Sequence, residues 1–266
     1  MRSSCLCALV ILLFQISQCS ADLVVGWDVF DLTSWGPSPF APTQSSLDLS
    51  GTTGITRGSG VTTSGTASSN AWGGNGFDTT SLANSLTASD FVSFSFTVGS
   101  GTSLSLTNIA PYNIRRSSTG PSLGQWQYQL GMGSWTSIGS AINWGSTTSS
   151  NGNLQSAIDL TSILDLQNVS SGTKVSFRVA NWSGATSGTW YFNNFFTGST
   201  AYPNDLQVNG TFATVPEPSA FLFGGLITTV LGAGYVRRRL QQWGLLSGRK
   251  TLKIRQEEIT LGSTGS

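Results

Sequence analysis

The sequence predicts an all-β protein body, a two-layer antiparallel β-sandwich of jelly-roll type with one short helix, between targeting segments at the two ends. Three observations predict this class. From Leu23 to Phe212 short apolar runs alternate with polar residues and are separated by Gly, Ser, Asn and Pro, as strands and turns are. No amphipathic helical repeat of useful length occurs there. Apolar residues make up 38% of the 266 residues, which is enough for a core despite 32 glycines.

The strongest strand pattern lies in Phe91–Val98. Phe94, Phe96 and Val98 fall on one side of this strand and the intervening Ser and Thr residues on the other, as a sheet with one wet face requires. With about ten such strands, a sandwich is the most economical way to bury one face of each sheet. The predicted strands are Leu23–Phe30, Ile55–Val61, Phe91–Val98, Ser103–Ile109, Asn113–Arg116, Gln125–Leu130, Trp135–Ile138, Ser156–Leu160, Lys174–Asn181, Gly188–Phe195 and Asp205–Thr211.

The one helix is expected over Asp159–Leu166. This segment offers a hydroxyl N-cap and an acidic residue in the first turn. Its position between two strand patterns makes it a connecting element.

Residues 1–21 are typical of a secretory signal peptide. A basic start at Arg2 precedes an apolar stretch from Cys5 to Ile16, and small residues lead to a predicted cleavage after Ala21. An uncleaved N-terminal anchor is the alternative. All three cysteines lie within the first twenty residues, so a disulfide scaffold is excluded for the mature body.

The C-terminal region carries three features in a fixed order. A proline-rich linker, residues 214–219, contains Pro216, Glu217 and Pro218, and its prolines keep it out of a helix. The apolar residues 220–236 would span about 25 Å as a transmembrane helix. The basic tail 237–266 begins with Arg237, Arg238 and Arg239. The positive-inside rule then predicts an exported, membrane-anchored protein, with the ectodomain 22–213 outside the cytoplasm and the tail inside.

This tripartite region resembles the PEP-CTERM sorting signal of exported bacterial proteins. The resemblance implies that the chain is a substrate of an exosortase, a membrane enzyme that processes proteins near the motif and delivers them to the cell surface or extracellular matrix. Pro216, Glu217 and Pro218 are then the recognised motif, and Arg237 to Arg239 the retention element. The 27 residues after the Arg cluster depart from the family pattern, and an ordinary C-terminal anchor is the competing interpretation.

The charge balance of the body argues against nucleic-acid binding. Between Asp22 and Pro216 nine acidic residues face five basic ones, so the body is mildly acidic and lacks the basic face that phosphates require. The chain contains no His, which excludes Ser-His-Asp triads and His-ligated metal sites. We therefore expect no enzyme activity, no cofactor and no metal. A glycan-active enzyme with paired Asp residues is the weaker alternative.

Carbohydrate binding is the stronger alternative to a purely structural or adhesive surface role. Trp35, Trp72 and Trp144 lie among Gly, Pro and Asn in predicted loops, where their rings would be free to stack on an extracellular polysaccharide. Tryptophans within strands, such as Trp126 and Trp190, are expected to belong to the core.

Overall fold

A computed structural model describes residues 22–145, 150–194 and 203–215, together with residues 235, 238 and 239. Residues 1–214 form one compact unit and residues 215–266 another, and each is described by itself. The all-β prediction is confirmed. The described part of the first unit contains fifteen strands, one α-helix and one 3-10 helix, and its strand pairings are all antiparallel.

The elements follow one another along the chain with short connections. They are β1 (Asp22–Trp27), β2 (Gln44–Ser45), β3 (Leu49–Arg57), β4 (Ala71–Gly74), α1 (Leu82–Ala88), β5 (Phe91–Val98), β6 (Thr102–Ile109), β7 (Tyr112–Arg116), β8 (Leu123–Leu130), β9 (Thr136–Ser137), β10 (Ile142–Asn143), β11 (Asn153–Gln155), β12 (Ile158–Asp159), a 3-10 helix (Leu164–Leu166), β13 (Lys174–Trp182), β14 (Trp190–Asn193) and β15 (Leu206–Thr214).

The strands form three sheets. A five-stranded sheet has the order β12-β6-β15-β1-β2, and a six-stranded sheet has the order β10-β8-β13-β5-β3 with β9 paired to β8. A four-stranded sheet has the order β11-β7-β14-β4. One apolar cluster draws on all three sheets, with Val24 from β1, Phe177 from β13 and Phe192 from β14 among its members.

The alternation of buried and polar side chains predicted for Phe91–Val98, which is β5, is confirmed. Phe94, Phe96 and Val98 are buried in the common core, and β5 begins and ends at the predicted residues. The opposite face of β5, which carries the Ser and Thr residues, is less exposed to solvent than its composition suggested, because Ser95 is only 6% exposed. Thr53 of the neighbouring strand β3 covers it, and the Ser95 amide donates to the Thr53 hydroxyl oxygen at 2.8 Å.

The helix predicted over Asp159–Leu166 is not present as an α-helix. Asp159 ends β12, and its carboxylate accepts hydrogen bonds from the amide and the hydroxyl of Thr161, at 2.9 and 2.7 Å. This local turn satisfies the acidic side chain without an α-helix, as Asp does in Asx turns. Only the 3-10 helix at Leu164–Leu166 remains of the predicted element.

The α-helix lies instead at α1, ahead of β5. Its N-cap is Ser81, whose hydroxyl oxygen accepts a hydrogen bond from the amide of Asn84 at 3.3 Å. Ser85 is the one fully buried residue of this seven-residue helix, and the half-buried Leu82 and Leu86 are the only leucines on its face toward the protein, so the apolar pattern is short. The helix was missed because periodicity of apolar residues is the signal by which a helix is read from sequence.

The predicted signal peptide, the Pro-Glu-Pro motif and most of the apolar segment 220–236 lie outside the described residues. Among the residues that are described, no helix has the length and apolar character needed to cross a bilayer. In the second unit, Tyr235, Arg238 and Arg239 are helical and exposed, and the Arg239 Nε donates to the Tyr235 hydroxyl at 3.2 Å.

Candidate functional site

The three tryptophans expected in exposed loops are buried, which corrects their predicted placement. Trp72 is 0% exposed and lies on β4, where its indole nitrogen donates to the carbonyl oxygen of Pro37 at 2.6 Å. Trp144 is also 0% exposed, and its indole nitrogen donates to Asn181 Oδ1 at 2.8 Å. Both rings belong to the common core. A sugar ring has no access to either indole in this structure.

Trp35 lies in a loop, as predicted, but its ring faces a sheet rather than solvent. It stacks on Tyr191 of β14 with a centroid distance of 5.4 Å and an interplanar angle of 19°, and only 6% of Trp35 is exposed. The local Gly and Pro residues that predicted a loop allow the backbone to fold back over the protein. Tertiary packing therefore covers all three rings, and the composition of the surrounding sequence does not predict this burial.

The backbone of this loop is held in place by Arg57 at the end of β3. Trp35 has a φ of 74°, in the left-handed region that bulky residues rarely adopt. Its carbonyl oxygen accepts hydrogen bonds from the Gly73 amide at 3.3 Å and from Arg57 Nη2. Arg57 Nε also donates to the Gly73 carbonyl at 2.6 Å, and burial lowers the pKa of Arg57 to about 10. Arg57 is therefore a structural cation.

Several carboxylates of the body accept hydrogen bonds from other parts of the described chain. Asp205 Oδ2 accepts from the Val29 amide at 2.8 Å, and Asp165 Oδ2 accepts from the Tyr128 hydroxyl at 2.9 Å. Within the described ranges no group of three or more acidic, Cys or His side chains is placed to hold a metal ion.

Among the described residues, Asp90 is the carboxylate with a clearly raised pKa, and it is 2% exposed and precedes β5. Burial is the main cause of the raised pKa, and the negative charge of Asp78 adds to it, while the nearby Thr79 hydroxyl opposes it. Asp78 itself is exposed and accepts a hydrogen bond from the Thr186 hydroxyl at 2.6 Å.

A polar cleft lies on the outer face of the four-stranded sheet. Tyr112 and Ile114 of β7 point into the core, so the alternate residues Asn113 and Arg115 belong to the opposite face. Tyr191 lies beside Arg115 in the register of β14. The cleft between this face and the surrounding loops has a volume of about 590 Å³. Its lining residues are polar apart from Ala67, and they include Ser68, Asn70, Arg115, Ser150, Asn151 and Asn193.

The wall of the cleft is formed by the loop that ends at Asn70. The Asn70 amide donates to the Leu32 carbonyl oxygen at 2.8 Å, and the Asn70 side-chain oxygen accepts from the Asp31 amide at 2.9 Å. The amide of Asn194 donates to the Asn70 carbonyl oxygen at 2.9 Å, which joins this loop to the end of β14. Asn70 has a φ of 53°, a conformation that Asn tolerates better than most residues. The wall is therefore fixed both to the loop that follows β1 and to the end of β14.

The chemistry of the cleft is that of hydroxyls, amides and one cation. The Arg115 guanidinium donates through Nη1 to the hydroxyl oxygen of Ser68. Asn193 Nδ2 donates to the carbonyl oxygens of Ser150 and Asn194, both at 3.2 Å. The lining contains no acidic residue. Amides and hydroxyls both donate and accept hydrogen bonds, so such a cleft suits a neutral or anionic polyhydroxylated ligand.

The neighbouring Arg116 has a different role. It is 8% exposed, and its guanidinium donates to the carbonyl oxygens of Pro121 at 2.7 Å, Gly120 at 2.8 Å and Gly145 at 3.2 Å. Arg115 and Arg116 thus lie on opposite faces of the sheet, as neighbours on a strand do. The cleft could not be predicted from the sequence because its lining residues come from four separate stretches of the chain, and the frequent Asn and Ser residues there were the one signal of it.

Searches of the chain against known protein families, against curated protein sequences and against solved structures found no match in any of the three.

Proposed function

We propose that this chain is an exported cell-surface or extracellular-matrix protein with a structural or adhesive role. The observation that carries the proposal is the order of three sequence features: the Pro-Glu-Pro motif, the apolar residues 220–236 and the Arg cluster. The last strand, β15, ends at Thr214, two residues before Pro216. In the sequence, the motif therefore follows the last strand of the body after a single intervening residue.

The particular route that we propose is sorting of the PEP-CTERM type. The signal peptide 1–21 directs export and is removed after Ala21, the apolar helix 220–236 arrests in the bilayer, and Arg237 to Arg239 stay on the cytoplasmic side. An exosortase then processes the chain near Pro216, Glu217 and Pro218. The protein is the substrate in this scheme and has no catalytic role of its own.

We also infer that the sheets are layers of the two-layer, jelly-roll-like sandwich that the sequence predicts. The shared apolar cluster supports this, because sheets that bury their faces against one another must contribute to one core. Only 9% of the residues are charged, so hydroxyls and backbone groups supply most of the polar surface of this body. Such a surface is compatible with close association with a hydrated polymer.

Mass spectrometry of protein from the native cells tests the sorting proposal. We expect the surface pool to lack Leu240–Ser266, and we expect replacement of Pro216, Glu217 and Pro218 by alanine to leave this segment attached. Ser219→Ala, which keeps the motif, is the matched control and should be processed like the parent. An intact C-terminus through Ser266 in the surface pool of the parent would refute exosortase processing.

Labelling of intact cells with a membrane-impermeant amine reagent tests the location separately. Lys174 lies on β13 and is exposed, so its modification reports on the body. Export predicts labelling of Lys174 without cell lysis. If Lys174 reacts only after lysis, the body is inside the cell and the proposed function is wrong.

The polar cleft favours a second candidate, carbohydrate binding. The lining of amides and hydroxyls, rather than the three buried tryptophans, is the observation that supports it. Titration of the full chain in a non-ionic detergent with maltohexaose and cellohexaose tests the idea. We expect saturable binding of at least one of them that Arg115→Gln weakens, and flat titrations with both would remove this candidate.

A further inference from the structure

The outer face of the six-stranded sheet has an unusual charge pattern. Phe177 and Val179 of β13 point into the core, so Ser176 and Arg178 lie on the opposite, outer face. None of the six strands of this sheet contains an Asp or a Glu. Lys174, on the same face of β13, is exposed. Ser176 is only 7% exposed, so the charged groups that this face presents are the exposed Lys174 and the half-buried Arg178, without carboxylates of its own strands.

Arg178 is held firmly at the centre of this face. Its Nε donates to Gln127 Oε1 of the neighbouring strand β8 at 2.7 Å. The guanidinium carbon lies 4.1 Å from the ring centroid of Trp135, which precedes β9, and 5.2 Å from that of Phe91 on β5. The two rings come from opposite sides of β13, because β13 lies between β8 and β5. Both contacts are within cation–π range, so the planar group has little freedom to turn.

The remaining edge of this guanidinium is available to a ligand. Among the described residues no hydrogen-bond acceptor contacts Nη1 or Nη2 of Arg178, and no carboxylate forms an ion pair with it. Arg57 and Arg116 differ in this respect, because carbonyl oxygens occupy their nitrogens. Burial lowers the pKa of Arg178, yet an arginine remains charged at neutral pH. A partly desolvated cation without a counterion is stabilised when an anion binds.

The geometry points to one class of anion. Nη1 and Nη2 form a fork with two parallel donors, which matches the two oxygens of a carboxylate. Trp135 is half-buried, and an indole ring beside such a fork can stack against the apolar face of a sugar ring. Ser93 lies opposite Arg178 in the register of β5, is half-buried and offers a hydroxyl to sugar hydroxyls, whereas Gln127 on β8 is buried and holds the guanidinium in place.

We propose that Arg178, with Trp135 and Phe91, forms a binding site for the carboxylate of an acidic carbohydrate, that is, a polymer containing uronic acid residues. The site lies on the six-stranded sheet and is distinct from the cleft on the four-stranded sheet. This inference rests on the proposed function in one respect: the protein would meet such a polymer only if it is located at the cell surface. Its chemistry is tested on the purified chain, whether or not the sorting proposal holds.

Titration calorimetry of the full chain in a non-ionic detergent tests this site. The probes are tri-galacturonate, the uncharged trisaccharide galactotriose and sodium acetate at the same ionic strength. We expect saturable binding of tri-galacturonate. Galactotriose and acetate should each bind more weakly by about tenfold or more, because galactotriose lacks the carboxylate and acetate lacks the sugar rings. Equal affinity for galactotriose, equal affinity for acetate, or no binding of tri-galacturonate would overturn the proposal.

Variants separate this site from a general effect of charge. Arg178→Gln should weaken tri-galacturonate binding about tenfold or more, and Arg178→Lys should also weaken it, because an ammonium group lacks the fork. Lys174→Gln removes the same charge from the same face and should change the affinity less than about twofold. If Lys174→Gln and Arg178→Gln have equal effects, the proposed site is wrong.

A second readout covers the case in which Arg178→Gln fails to fold. Trp135→Ala alters a half-buried residue outside the strands and should also weaken tri-galacturonate binding, with an unchanged melting temperature within about 2 °C. A Trp135→Ala variant that is folded and binds with the parent affinity would equally refute the site.

Discussion

The indole nitrogen of Trp126 on β8 donates a hydrogen bond to the hydroxyl oxygen of Tyr112 on β7, at 2.9 Å. Both side chains are buried, and their rings meet edge to face with a centroid distance of 5.9 Å. β8 belongs to the six-stranded sheet and β7 to the four-stranded sheet, so this polar contact joins two sheets across the core. Burial raises the pKa of Tyr112, which keeps its hydroxyl neutral at physiological pH.

The first prediction concerns this pair. Tyr112→Phe should lower the free energy of unfolding by about 1–3 kcal/mol, because it leaves the buried indole N–H without an acceptor. Trp126→Phe should lower it by about 2–4 kcal/mol, since the smaller ring also leaves a cavity. Urea unfolding of the two variants and of the double variant measures the coupling. We expect the double variant to lose less than the sum of the two, by about 1 kcal/mol, and strictly additive losses would contradict the contact.

The second prediction concerns the pH dependence of stability at Asp90. Because its pKa is raised in the folded state, protonated Asp90 is favoured by folding. The stability that this gives is fully present below the ordinary Asp pKa of 3.8 and is lost as the pH rises through the folded-state pKa. Asp90→Asn should therefore gain stability relative to the parent between pH 3.5 and pH 7, as measured by urea unfolding at both values.

Asp159→Asn serves as the control with the opposite sign. Hydrogen bonds from Thr161 lower the pKa of Asp159, so its contribution is present above the unfolded-state pKa and is lost as the pH falls through the folded-state pKa. This variant should lose stability relative to the parent between pH 3.5 and pH 7. A shift of the same sign in both variants would show that Asp90 is not the cause.

The third prediction concerns the packing of Trp144 on β8. A Cβ atom at Gly124 would lie 2.1 Å from Trp144 Cζ2, so the indole occupies the space that any other residue would need. Gly124→Ala should lower the free energy of unfolding by about 1–3 kcal/mol through overpacking. Gly51→Ala on β3 is the matched control, because nothing lies within 4 Å of its Cβ position, and it should change stability by less than about 0.5 kcal/mol. Equal stability of the two variants would mean that Trp144 does not pack on Gly124.

The fourth prediction concerns the polar cleft. Ser68 lines it, contacts Arg115 and is half-buried, so a tryptophan at this position would fill part of its volume. Ser68→Trp should abolish binding of the neutral hexasaccharide that the parent binds and leave tri-galacturonate binding at the Arg178 site within about twofold. Ser64→Trp, in an exposed part of the same loop, is the control and should bind both probes like the parent. Unchanged hexasaccharide binding by a folded Ser68→Trp variant would place that ligand elsewhere.

The strands whose side chains alternate cleanly could be predicted from the sequence. The nine-residue β3, rich in Ser, Gly and Thr, was predicted only from Ile55 onward, and β4 was not predicted. β5 was predicted to the residue and β13 to within one residue, because eight or nine alternating side chains give a clear period of two. β4 has only four residues, two of them glycine, and reads as a loop. It becomes a strand because β14 pairs with it and supplies hydrogen bonds that the segment alone cannot form.

The same limit applies to the candidate sites. The sequence indicated that aromatic residues and a polar surface are present, but it did not indicate which rings are accessible. Trp72 and Trp144 have loop-like neighbours in sequence and apolar neighbours in space. Trp135, which was assigned to a strand, is half-buried beside Arg178.

By itself, the sequence determined the all-β class and the strands whose side chains alternate, and it excluded histidine chemistry. These properties depend on residue type and on neighbours along the chain. The tertiary structure alone decided where α1 lies, that the loop tryptophans are buried, and that Gln127, Trp135 and Phe91 surround Arg178. Those relationships join residues far apart in the chain, and they arise because antiparallel pairing sets the register that brings the side chains together.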